Sequence, residues 1–176
     1  LGFEALMRWE QEDGTSVSPA EFIPIAEETG TILPIGAWAL LEALSHLRDW
    51  IDRGICPDTA SMSVNVSPRQ LHDPNFTSVV SEALTRARVR PQQLWLEVTE
   101  GVMIAEPEQA LDTLQRLNAM GVRIAVDDFG AGFTSFRSLR ALPVDRVEDA
   151  RETLGATERR AAELEDVRRH GRVCPL

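Results

Sequence analysis

Four short stretches of alternating residues, separated by segments of helical periodicity, limit this chain to a parallel α/β architecture. The stretches are residues 1–9, 61–67, 94–100 and 122–127. Strands that recur with helical crossovers between them pair in parallel. In the first, Phe3, Ala5, Met7 and Trp9 fall on one face, while Glu4 and Arg8 share the other. In the second, Met62, Val64 and Val66 oppose Ser63, Asn65 and Ser67. In the third, Glu97 and Thr99 share a face and Glu100 stands at the exit. The fourth ends at the pair Asp127 and Asp128, after which Gly130 and Gly132 give the backbone room to turn.

The intervening segments carry helix signals. Ser18 reads as a cap, with Pro19 at the first helical position, Glu21 closing a capping box and Gly30 as the stop. Residues 34–53 place Trp38, Leu41, Leu44, Leu47 and Trp50 near helical spacing, which predicts that these aromatics join the core. A helix after Asp73-Pro74 carries Phe76, Val79, Val80, Ala83 and Leu84. Another, over residues 107–120, aligns Ala110, Leu111, Leu114 and Leu117 before Gly121.

In parallel sheets and barrels, ligands bind at the carboxyl ends of the strands. Glu4, Asn65, Glu97 and Asp127 each lie on a different strand at or near that end. Singly, each has a plain reading: Glu4 could pair with Arg8, Asn65 could bond a neighbouring backbone, and Glu97 could be a solvated edge residue. Repetition at successive strand ends favours a shared site. Oxygen-only donors suit a hard ion, Mg²⁺ or Mn²⁺, better than zinc. Asp127 could bridge to a second ion held by Asp128, the arrangement used in phosphodiester hydrolysis. Arg8 is placed to meet a phosphate oxygen.

Charge narrows the partners. With 18 Lys+Arg against 28 Asp+Glu, the formal charge of -10 gives polymeric nucleic acid and anionic membrane no reason to bind. An anionic ligand needs a metal or local arginines. No apolar run approaches the roughly 20 residues of a membrane span. Cys56 and Cys174 lack metal or redox spacing, which predicts free thiols and a reducing, cytoplasmic setting.

Four motifs then occur in order: Glu4-Ala5-Leu6 followed by Met7-Arg8, Asn65-Val66-Ser67, Glu97-Val98-Thr99-Glu100, and Asp127-Asp128-Phe129-Gly130-Ala131-Gly132-Phe133-Thr134-Ser135. In them the chain resembles the EAL-domain family of cyclic-di-GMP phosphodiesterases. The resemblance implies a TIM-like (β/α) barrel, of which about four of eight parallel strands are identifiable here. It implies Glu4, Asn65, Glu97 and Asp127 as ligands of Mg²⁺ or Mn²⁺, with Asp128 helping to hold a second ion. Glu4, Asp127 and Asp128 are the implied catalytic residues, and Arg8 the phosphate contact. Glu100 is the implied anchor of the 129–135 loop, which the family uses to organise the metal site and to form dimers. The implied reaction opens cyclic-di-GMP to linear pGpG.

The likeness covers residues 1 to about 147, leaving 148–176 as a charged tail, helical or disordered. There the family continues into a strand with a Lys-Ile-Asp motif, whose lysine helps orient the attacking water, and then into strands bearing a metal-site glutamate and a glutamine. This chain reads Glu148-Asp149-Ala150-Arg151-Glu152 instead and contains no lysine. It also begins inside an apparent strand, so it reads as truncated at both ends relative to the family. Three functional readings stay open: a metal-dependent phosphodiesterase whose activity is intact only if the missing parts are supplied elsewhere and is otherwise reduced by at least ~10²-fold, a degenerate module that binds cyclic-di-GMP or a protein partner without cleavage, and a truncated product with no stable function.

Overall fold

The computed structural model of the chain describes residues 1–99, 107–129 and 145–149. In chain order the elements are β1 (Gly2–Ala5), β2 (Trp9–Glu10), β3 (Ser16–Val17), α1 (Pro19–Thr29), α2 (Ile32–Asp52), β4 (Ser61–Val66), α3 (Pro68–Leu71), α4 (Phe76–Ala87), β5 (Leu94–Thr99), α5 (Pro107–Ala119), β6 (Arg123–Phe129) and β7 (Arg146–Asp149). Among the described residues one sheet runs β1-β4-β5-β6-β7, every neighbouring pair parallel, while β2 and β3 form a small antiparallel ribbon. Strands therefore add in sequence order with helices between them, the winding of a (β/α) barrel wall.

Alternation decides what the sheet does on each side. Met62, Val64, Val66, Leu94, Leu96, Val98, Ile124 and Val126 are buried in one continuous apolar cluster. Into it α2 contributes Leu40, Ala43, Leu44 and Leu47, α4 contributes Val80 and Leu84, and α5 contributes Leu114 and Leu117. Each fully buried leucine of this kind is worth about 1.5–3 kcal/mol in removal from water. The buried Gln93 fixes the strand entry: its Nε2 donates to Asp58 O at 3.1 Å and Ala60 O at 2.9 Å, tying the start of β5 to the start of β4. At the other end of α1, Gly30 takes φ 80 as a left-handed cap, and Arg69 Nη1 donates to Glu27 O at 2.6 Å. That bond gives the Glu27 carbonyl, which already accepts from Gly30 N at 3.2 Å, a second donor at the helix end.

The four expected strands are present, and β7 joins them as a fifth. Several details differ from the sequence reading. The first strand stops at Ala5, and Trp9 belongs to the ribbon, so Glu4 and Arg8 do not share a continuous pleat. Ser18 makes no side-chain cap; the reciprocal capping box forms at Ser67 and Gln70 instead. Trp38 is 58% exposed rather than in the core, because the buried stripe of α2 runs through Leu40, Ala43, Leu44 and Leu47. Trp50 does pack inward, edge-on to Phe3 with ring centroids 4.8 Å apart. The last long strand continues to Phe129, so Asp127 and Asp128 lie within β6 rather than at its end. Cys56 is a buried free thiol, and burial pushes its pKa up. Glu100, the 130–144 stretch with Gly130 and Gly132, Cys174 and the tail beyond Asp149 lie outside the described residues.

Candidate metal centre on the open face of the sheet

The face opposite the core is set by the same alternation read from the other side. Parallel register pairs Glu4 with Ser63, Ser63 with Trp95, and Trp95 with Arg123. One pleat pair nearer the carboxyl ends, it pairs Asn65 with Glu97, Glu97 with Ala125, and Ala125 with Arg146. One further step pairs Thr99 with Asp127.

Two of the expected donors touch. Asn65 Nδ2 donates to Glu4 Oε1 at 3.1 Å, across the β1–β4 junction and 61 positions apart in sequence. Spending the amide nitrogen on Glu4 leaves the Asn65 Oδ1 lone pairs for another partner. Both side chains are exposed, whereas Glu97, beside Asn65 in register, is only 5% exposed. Glu97 is thus no solvated edge residue.

A buried carboxylate requires a charge partner or strong donors. Arg146 Nη2 lies 3.5 Å from Glu97 Oε1. The guanidinium comes from two strands away, over Ala125 of β6, whose one-carbon side chain lies between them in register and is fully buried. It also sits 4.7 Å above the Trp95 ring, with Arg123 at 5.2 Å from the same ring. An indole face flanked by two guanidiniums favours cations by its quadrupole.

The fold thus brings Glu4, Asn65 and Glu97 onto one patch. Asp127 follows one pleat pair further on, in register with Thr99, with Asp128 next in β6; the side chains of both aspartates are outside the described residues, as is all of Glu100. Arg8 lies in the coil after β1, exposed, and donates from Nη1 to Met7 O at 2.8 Å. Sequence reasoning missed Trp95, Arg123 and Arg146. Alternation through β5 and β6 could have placed the first two beside Glu97, but the third depends on a long-range pairing.

Among the described residues no cluster of three His, Cys, Asp or Glu side chains gathers around one point. What the open face does present is two carboxylates and an amide on adjacent strands, Glu4 bonded to Asn65 and Glu97 beside Asn65 in register. It offers oxygen without thiolate or imidazole, which fits a hard divalent ion.

A family model for the EAL domain matches residues 1–167. The chain belongs to the EAL domain family. Among curated proteins it is 41% identical over 147 residues to an uncharacterized signaling protein of Caulobacter vibrioides, covering 84% of this chain and 17% of that protein. It is 38% identical over 148 residues to the bifunctional diguanylate cyclase/cyclic di-GMP phosphodiesterase MucR of Pseudomonas aeruginosa, covering 84% and 21%. The EAL chain thus spans about a fifth of the length of these relatives. Among solved structures, PaMucR phosphodiesterase in its c-di-GMP complex aligns with a TM-score of 0.79 and 35% identity, over 93% of this chain and 66% of that one. The EAL structures of this kind are TIM-like barrels, and the five parallel strands described here form part of such a wall. No helix among the described residues is long and apolar enough to cross a membrane.

Proposed function

We propose that this EAL chain carries the first part of a divalent-metal site for hydrolysis of cyclic-di-GMP to linear pGpG, working at a rate reduced by at least ~10²-fold. The observation that carries the reading is the 3.1 Å bond from Asn65 to Glu4, made beside the buried Glu97 on the open face. Three separate strands were brought to one patch to make it. The relatives described as cyclic di-GMP phosphodiesterases supply the substrate class.

In this reading Glu4, Asn65 and Glu97 hold Mg²⁺ or Mn²⁺ through oxygen, with Asp127 as a further ligand and Asp128 on the second ion. A divalent ion so held supplies Lewis acidity and lowers the pKa of water. The chain's own groups do the rest. Glu4 fixes the Asn65 amide by accepting from Nδ2, which sets the direction of Oδ1. Burial keeps water away from Glu97 and strengthens its electrostatic pull. Arg8, exposed on the coil that leaves β1, is available to a ligand phosphate on breaking its bond to Met7 O. The rate is low because Glu148-Asp149-Ala150 stands where the family's lysine would orient the water.

The test is to incubate the chain with cyclic-di-GMP and Mn²⁺ and to chromatograph the products. Slow accumulation of the linear dinucleotide, abolished by Glu97→Gln, is expected. Absence of product with tight equilibrium binding in Ca²⁺ would replace the enzymatic reading by a non-catalytic binding module; absence of both would remove the ligand altogether.

A further inference from the structure

Among the described residues Glu97 is the one buried carboxylate, and its ion-pair partner is supplied from within the chain. We propose that Arg146 is a resident counter-cation for Glu97 which a divalent ion must displace, so that the Arg146–Glu97 pair sets how tightly this chain takes up metal. The inference rests on the reading of Glu97 as a metal ligand.

The pair is built rather than incidental. Register carries Arg146 to Ala125 and Ala125 to Glu97, and the single methyl between them leaves the guanidinium a path across β6 to Oε1, at 3.5 Å. Trp95, two residues before Glu97 and so on the same face of β5, holds the guanidinium 4.7 Å from its ring. One strand therefore provides both the carboxylate and the cation platform.

A divalent ion and a guanidinium cannot both sit close to one carboxylate without repelling each other across a weakly screened gap. The two partners differ in freedom to move. The Glu97 side chain is 5% exposed and the Arg146 side chain 37% exposed, so the pair parts by Arg146 leaving toward solvent. Arg123 shares the Trp95 ring but stands on the Trp95 rung, one pleat pair away from Glu97. It provides the matched control for charge.

Mn²⁺ is titrated into wild-type chain, Arg146→Met and Arg123→Met, with free Mn²⁺ read by electron paramagnetic resonance. Methionine keeps an apolar stem over Trp95 while removing the charge. Arg146→Met is expected to tighten Mn²⁺ about tenfold, between the effects of water-like and protein-like screening, with Arg123→Met near wild type. Equal or weaker binding by Arg146→Met, or equal tightening by both variants, overturns the proposal and leaves the metal site standing. No saturable Mn²⁺ binding in any of the three overturns both. Should Arg146→Met fail to fold, the Arg146 Nε–H resonance of the wild-type chain decides: movement on adding Mg²⁺ supports displacement, and a fixed signal contradicts it.

Discussion

The two faces of the central sheet are made by the same strands and obey opposite rules. On the helix-covered face β4, β5 and β6 present Met62, Val64, Val66, Leu94, Leu96, Val98, Ile124 and Val126, all apolar and at most 7% exposed. On the open face the same strands present Ser63, Asn65, Trp95, Glu97 and Arg123, polar or aromatic groups held by specific pairings. One face is a solvent-exclusion device, tolerant in detail and costly in aggregate. The other is a directional network in which the loss of one atom redirects its neighbours. Stability and chemistry are thus separated by a single peptide thickness, and substitutions on the two faces should separate in the same way.

The largest effect is expected on the covered face. Leu96→Ala removes a side chain with no exposure from the centre of the cluster, which should lower stability by about 2–5 kcal/mol in denaturant melts. Divalent-ion affinity of the fraction that stays folded should be unchanged. A matching loss of affinity would mean that the two faces are not independent.

Glu97→Gln tests the opposite case. It should weaken Mn²⁺ binding by about tenfold or more in calorimetry. Its cost in stability should be smaller than that of Leu96→Ala, because the guanidinium it leaves behind can reach solvent. A fold that collapses while metal affinity holds would reverse the assignment of the faces.

The smallest effect belongs to Trp38→Ala. That indole lies 58% exposed on the outer side of α2, away from both faces, and its removal should shift stability by no more than about 0.5 kcal/mol.

The sequence pattern carried much of this. Alternation in residues 61–66 and 94–99 marks the strands, their faces and the positions of Asn65 and Glu97, because burial on one side of a pleat forces a period of two. The helix of Trp38 misled because spacing of large apolar residues does not say which of two overlapping stripes is buried; the smaller Leu40 and Ala43 won. Arg8 was misplaced because nothing local marks the end of β1 at Ala5. The Arg146–Glu97 pair was not legible at all, since it depends on two successive strand registers and on the smallness of Ala125 between them.

In the proposed function, oxygens from three strands serve one cation. Crystals of this chain soaked in Mn²⁺ and measured at the manganese absorption edge test it most directly. One anomalous peak is expected, about 2.0–2.3 Å from carboxylate or amide oxygens of Glu4, Asn65 and Glu97. A peak elsewhere, or no peak from crystals that retain the Asn65–Glu4 bond, would contradict it.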